Sequence, residues 1–208
     1  MRTAIRHLSA VDPAMQTLIR RIGRCGYRQE KREPYEALVR AIAHQQLHGA
    51  AARTILGRFV ALCPDAPFPT PQHVLSIDDA TMRQCGFSGS KSASIRDIAL
   101  KTLEGVVPTR RAASRLSDAD LITRLTVIRG VGRWTVEMLL MFNLSRVDIL
   151  PVDDFGVREG YRKLHNLAAQ PKPRDLAAIG EMWSPWRSVA SWYLWHAADE
   201  GKTVKQPG

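Results

Sequence analysis

Leu125-Thr-Val-Ile-Arg-Gly-Val-Gly-Arg-Trp-Thr-Val-Glu-Met-Leu-Leu140 is the stretch on which the reading of this chain turns. Ahead of it, Ser117 and Asp120 form a near capping box before Leu121, Ile122, Leu125 and Ile128, which predicts a helix running into Gly130-Val131-Gly132. Val131, Trp134, Met138 and Phe142 then recur at helical spacing, so a second helix follows at once. Two glycines one residue apart permit a tight turn and leave backbone N–H groups unshielded where the second helix starts. Such a helix end suits a phosphate. A bare Gly-x-Gly reads as an ordinary interhelical turn. The surrounding L-x-x-I-x-G-V-G-R-W-T, in a basic chain, favours close approach of a DNA backbone irrespective of base sequence.

Outward from the hairpin, the charge is uneven. The 208 residues hold 30 Lys+Arg against 20 Asp+Glu, a formal net charge of +10. Residues 1–58 carry +7 and residues 83–133 carry +6, leaving the remainder at −3. This excludes a typical acidic solute-handling protein; the choice left by charge alone is a nucleic-acid partner or a basic face that only keeps the protein soluble. Leu38, Ile42, Ile55, Leu56, Phe59 and Leu62 continue the helical periodicity, with Pro34 where a first turn tolerates it. Residues 64–71 hold four prolines and read as a loop or linker. Alternating strand patterns hardly appear, so the expectation is an all-α fold of roughly eight to ten short helices, given mean helices of about 11 residues. Cys25, Cys63 and Cys85 lie far apart and predict free thiols in a reducing compartment. No signal peptide or membrane span is expected, which reads as an intracellular protein, in the cytoplasm or nucleoid if the source is bacterial.

A second informative segment is Leu150-Pro-Val-Asp-Asp-Phe-Gly-Val-Arg158. A proline, two adjacent acids, then Val157 and Tyr161 on one helical face read as a helix start with Asp153 as N-cap. One aspartate explains the cap; the second is surplus, and an acid repels DNA unless it is used. Both acids serving the helix dipole is the alternative.

G-V-G-R-W-T followed by P-V-D-D at this distance resembles the helix-hairpin-helix DNA glycosylases, specifically the 3-methyladenine (alkyl base) glycosylase II branch. The similarity spans roughly residues 30–200. It includes Ala41-Ile-Ala-His-Gln-Gln-Leu-His-Gly-Ala-Ala-Ala52, Cys85-Gly-Phe-Ser-Gly-Ser-Lys91 and Pro185-Trp-Arg-Ser188. The resemblance implies two helical lobes with the active-site cleft between them, a central lobe over about 40–155 with hairpin 125–140, and a second lobe from 1–39 and 156–208. It makes Asp154 the catalytic aspartate and Asp153 its capping neighbour. The hairpin amides at Gly130, Gly132 and Thr135 would hold a phosphate beside the lesion. A monovalent cation, Na+ or K+, is often held there by carbonyls, here those of Thr126, Ile128 and Gly130. Trp134 and Trp195 match aromatics lining the base pocket, and Met138 is placed with them. Arg133 and the Gln45-Gln46-Leu47 turn are assigned to DNA, with Gln46 at the wedge position and Leu47 next to it.

Departures from the family pattern refine this. Bifunctional members place a lysine where Trp134 stands, to attack the sugar; Trp134 has no amine. The iron–sulfur branch needs four clustered cysteines, and three scattered ones cannot ligate that cluster. What remains is a monofunctional hydrolase that requires no cofactor. Cleaving the N-glycosidic bond builds oxocarbenium character on the sugar, which a carboxylate stabilises. The base must first leave the stack. Alkylation at N3 or N7 makes the base a cation that an indole face attracts. Trp183, Trp186 and Trp192 are assigned to core packing. Arg129 stands where many hairpins have proline, and the extra N-terminal α/β domain of longer bacterial relatives has no counterpart in the sequence. The expected partner is double-stranded DNA with alkylated bases, bound by a monomer away from membranes. A non-catalytic hairpin module and a glycosylase with coupled lyase activity are the alternatives.

Overall fold

The computed structural model describes residues 1–200 apart from Gln29 and His48. Among them no strand occurs, and thirteen α-helices follow in order. They are α1 (Arg2–Val11), α2 (Pro13–Ile22), α3 (Pro34–His44), α4 (Gly49–Ala61), α5 (Pro71–Ser76), α6 (Asp79–Cys85), α7 (Gly89–Leu103), α8 (Arg110–Ala113), α9 (Asp118–Leu125), α10 (Arg133–Met138), α11 (Phe155–Leu164), α12 (Pro173–Gly180) and α13 (Arg187–Asp199). The fold is all-α. The helices outnumber the eight to ten expected because α8 is a single turn of four residues and α5 and α6 have only six and seven, too short for periodicity to register.

Local signals account for most starts. Ser117 Oγ caps α9 by accepting from Asp120 N (3.1 Å) and also donates to the Asp120 carboxylate (2.6 Å), so the two side chains pair at the helix start. Pro34 occupies the first turn of α3. The proline-rich segment is a loop up to Thr70, but its last proline opens α5, whose cap is Thr70 Oγ1 accepting from His73 N (3.2 Å).

The helices form two compact units, Met1–Gln29 with Ser145–Gly208, and Glu30–Leu144. The boundaries precede those expected at 39/40 and 155/156. The reason is hydrogen bonding: Glu30 N donates to Phe142 O (2.7 Å) and Asn143 Nδ2 to Arg32 O (2.8 Å), which places residues 30–33 in the second unit.

In the first unit Leu8, Met15, Leu18, Val157, Leu176, Trp183, Tyr193 and Leu194 are buried together, with Trp186, Trp192 and Trp195 packed partly buried against them. Trp183 Nε1 donates to Asp12 Oδ2 (3.1 Å), so its one polar atom is satisfied. The Pro185-Trp-Arg-Ser stretch clamps the segment that leads to α11. Arg187 holds Asp148 with two nitrogens (2.8 and 2.9 Å), and Ser188 Oγ accepts from Ile149 N (2.9 Å) while donating to Arg146 O (2.8 Å). The second unit is built around Leu38, Ile42, Phe59, Ile95, Ile98, Leu121 and Leu125, all nearly inaccessible to solvent. Its longest helix, α7, packs against α3, α5 and α6.

Candidate active site and nucleic-acid interface

The hairpin forms as the sequence predicts: α9 ends at Leu125, residues 126–132 turn, and α10 begins at Arg133. The two glycines have different reasons. Gly130 has φ +76°, and a Cβ there would lie 2.5 Å from Ser94 Oγ and 3.2 Å from Ser94 Cβ. Gly132 is the N-cap of α10 in extended backbone that any residue adopts, with no atom within 4 Å of a Cβ. Arg129 N donates to Asp97 Oδ2 (2.7 Å), a tether that a proline at 129 could not make. Thr135 is buried. Arg133 Nε donates to Glu137 Oε1 (2.9 Å); the carboxylate is buried and the guanidinium mostly exposed, so the cation is oriented by its own helix.

This distinction yields an expected result. Gly130→Ala should destabilise the hairpin by about 1–3 kcal/mol through the positive φ and the Ser94 contact. Gly132→Ala should cost at most about 1 kcal/mol, as the loss of a favoured N-cap residue, and, if these amides take a backbone phosphate as expected, weaken binding to damaged and undamaged duplex alike. Melting curves and duplex titrations check both; selective loss of lesion discrimination in Gly132→Ala would remove the phosphate dock.

Of the hairpin carbonyls, Ile128 O accepts from Val131 N (3.1 Å) and Gly130 O from Gln45 Nε2 (3.2 Å). Each carbonyl has a second lone pair. With Thr126 O they would offer a cation neutral oxygens only, without the carboxylates a divalent ion would call for. Among the described residues no cluster of three or more His, Cys, Asp or Glu side chains is placed to hold a metal ion.

The Gln45-Gln46-Leu47 turn follows the end of α3. The Gln45 amide reaches Gly130, Gln46 has φ +57°, and Gln46 and Leu47 are exposed. Beneath them, Lys91 Nζ donates to Ala43 O (2.9 Å) and Gln45 O (2.7 Å), and burial pushes its ammonium pKa down. A cavity of about 370 Å³ lies between this turn and α10, lined by Ala41, His44, Gln45, Gln46, Trp134, Thr135 and Met138. No amine lines it. Trp134 is 45% exposed, so it departs from the apolar stripe that Val131 continues into the core. A larger cavity of about 680 Å³ shares Ala41, His44, Thr135 and Met138, and adds Arg32, Arg40 and Arg53. His44 belongs to both cavities; the A-I-A-H-Q-Q stretch contained it, but nothing in its spacing distinguished it from a last-turn helix histidine.

In the first unit the capping role expected of Asp153 falls to its neighbour. Asp154, not Asp153, is the N-cap of α11: its Oδ1 accepts from Val157 N (2.8 Å), while Asp153 is exposed. The turn from Pro151, closed by Asp154 N donating to Pro151 O (3.0 Å), sets this register. Trp195 Nε1, on α13, donates to the same Oδ1 (2.8 Å). Trp195 therefore reaches the carboxylate itself, a contact that its expected place in a base pocket did not include. A Cβ on Gly156 would come within 2.7 Å of Trp195 Cδ1 and 3.2 Å of Asp154 Oδ1, so the glycine leaves the room this contact needs.

The all-α fold with its two-glycine hairpin is a helix-hairpin-helix arrangement, with an exposed tryptophan above a cavity in one unit and a carboxylate fixed at a helix start in the other. Residues 39–185 match the family described as HhH-GPD superfamily base excision DNA repair protein. DNA-3-methyladenine glycosylase 1 of Schizosaccharomyces pombe is 45% identical over 204 residues, covering 96% of this chain and 90% of that protein. The alkylbase DNA glycosidase-like protein mag2 of the same yeast is 34% identical, covering 92% and 91%. The solved structure of the S. pombe 3-methyladenine DNA glycosylase Mag1 in complex with abasic DNA superposes with a TM-score of 0.86 at 43% identity, covering 99% of this chain and all of that one. The chain belongs to the HhH-GPD superfamily of base excision DNA repair proteins.

Proposed function

We propose that this protein is a monofunctional DNA glycosylase that hydrolyses the N-glycosidic bond of alkylated bases, of the 3-methyladenine and 7-methylguanine type, in duplex DNA. The observation that carries the reading is the Asp154 carboxylate, held at the start of α11 by Val157 N and Trp195 Nε1. Two donors on one oxygen hold the carboxylate in one orientation. Such a carboxylate stabilises the positive charge that develops on the sugar as the bond to the base stretches, and orients water on its face. The hairpin amides at Gly130, Gly132 and Thr135 hold a backbone phosphate, Arg133 adds a cation, and the Gln45-Gln46-Leu47 turn fills the space the base vacates. Trp134 and Met138 receive the flipped base, with Trp134 offering an indole face to a cationic lesion. The absence of an amine from the cavity wall leaves no nucleophile for sugar-strand cleavage there. Hydrolysis proceeds without a resident cofactor in this reading. A Na+ or K+ ion at the carbonyls of Thr126, Ile128 and Gly130 would add positive charge beside the docked phosphate.

The test is release of free base from methylated duplex, with and without later alkali. Release with a strand that stays intact until alkali is the expected result. No release would leave a binding module, and strand breaks without alkali would mean a coupled lyase. The pocket has its own check. Trp134→Leu keeps apolar bulk and removes the π attraction, so release of cationic 7-methylguanine should fall about tenfold relative to neutral hypoxanthine, about 1–2 kcal/mol. Equal losses for both bases would return Trp134 to a packing role. Trp195→Leu does not separate these terms, because it also removes a hydrogen bond from Asp154.

A further inference from the structure

Three side chains on one face of α7, at positions i, i+3 and i+6, meet the two DNA-facing segments of the second unit. Asp97 accepts from Arg129 N in the hairpin (2.7 Å), Ser94 lies under Gly130, and Lys91 donates to the carbonyls of Ala43 (2.9 Å) and Gln45 (2.7 Å). Three- and four-residue spacing puts such groups in one row. The hairpin is thus tied to α7 by the Asp97 hydrogen bond and lies close against Ser94, and the turn after α3 has the Lys91 ammonium together with the Gln45 amide on Gly130 O (3.2 Å). The last carbonyls of a helix lack intrahelical partners, and a cation at that end is favoured by the helix dipole. Lys91 is only part-exposed and directs two of its donors into these carbonyls, so it is not placed as a phosphate ligand. Gln46, one residue on, is held with φ +57°, a conformation that L side chains seldom adopt without surrounding support.

We propose that Lys91 is a positioning residue for duplex insertion: by holding the C-terminal carbonyls of α3 on the α7 face that also carries the hairpin, it sets the spacing between the wedge turn and the docked phosphate. The proposal rests on the reading of Gln45-Gln46-Leu47 as the wedge. It explains why an ammonium, and not an apolar residue, ends the Cys85-Gly-Phe-Ser-Gly-Ser-Lys91 stretch. The turn is the element that must enter the stack in register with the phosphate dock. A displacement of about 1 Å there is enough to lower the rate sharply.

The experiment compares wild type, Lys91→Met, Lys91→Arg, Gln46→Ala and Leu47→Ala in the full-length chain. Four quantities are read: melting temperature, affinity for undamaged duplex, fluorescence of 2-aminopurine placed opposite an abasic-site analogue, and single-turnover release of 7-methylguanine. Lys91→Met should lose most of the insertion fluorescence and about tenfold or more in base release. Its undamaged-duplex affinity should stay within about twofold, because the hairpin keeps its Asp97 hydrogen bond and its place against Ser94. Lys91→Arg, which retains a cation and donors, should restore both losses. Wild-type insertion fluorescence in Lys91→Met overturns the proposal alone. So does a loss of fluorescence, duplex affinity and melting temperature together that Lys91→Arg fails to restore, since that is the behaviour of a residue serving only the fold. An insertion signal that neither Gln46→Ala nor Leu47→Ala reduces overturns the wedge reading, and the proposal with it.

Discussion

Replacing Asp154 with Asn is expected to lower single-turnover base release by about 10²–10³-fold or more while leaving the melting temperature close to wild type. The two halves of that expectation come from one side chain with two jobs. Asp154 Oδ1 caps α11 through Val157 N, and an asparagine side-chain oxygen caps a helix about as well. The charge is what asparagine cannot supply, and charge stabilisation at the sugar is the catalytic role assigned here. Asp154→Ala should lose the cap as well, adding about 1 kcal/mol of instability, so the pair of variants separates capping from chemistry. Asp153→Asn should change neither quantity much, since Asp153 is exposed and does not cap. Trp195→Phe keeps an aromatic ring but removes the N–H that donates to Asp154 together with part of the indole's bulk; through the lost hydrogen bond it should slow release of cationic and neutral lesions alike. Turnover near wild type in Asp154→Asn would remove the assignment of this carboxylate.

The largest stability effect is expected from Gly160→Ala. On α11, a Cβ at Gly160 would lie inside the van der Waals shell of Leu194 O and 2.5 Å from the Leu194 carbonyl carbon of α13. The obstacle is backbone, not the end of a flexible side chain, so no rotamer change relieves it. The two helices would have to separate where Val157, Tyr161, Tyr193 and Leu194 pack into the core of the first unit. The cost should be about 3 kcal/mol or more. At about 2–4 °C per kcal/mol for a chain of this size, melting should fall by roughly 6–12 °C. Gly57→Ala on α4 is the control: nothing lies within 4 Å of a Cβ there, and in a helix interior the exchange should stabilise by up to about 1 kcal/mol. A Gly160→Ala protein as stable as wild type would contradict the close crossing of α11 and α13. Because α11 starts at the residue after Asp154 and α13 carries Trp195, any surviving Gly160→Ala protein should also release base more slowly.

What was legible in the sequence is what local chemistry encodes. Ser117 and Asp120, Pro34 and the apolar row before Gly130 act over three or four residues, and each forms as read. The hairpin was legible for the same reason, since its glycines and flanking stripes lie within one short run of chain, residues 121–142. The shortest helices escaped because one or two turns are too few to show a period.

The tertiary structure decided everything that depends on which segments meet. Asp153 and Asp154 are chemically equal candidates for a cap; the turn at Pro151 and the arrival of the Trp195 indole from α13, 41 residues away, select Asp154. Trp134 matches a core stripe by spacing, and only the packing around α10 leaves it 45% exposed above a cavity. Gln45 bonds to Gly130 across 85 positions and Lys91 to Gln45 across 46, separations over which residue pattern carries no geometric information. Residue type and short-range periodicity set the helices and named the hairpin, the turn and the paired acids. Helix packing, which couples residues far apart in the chain, determined the role each of those residues can play.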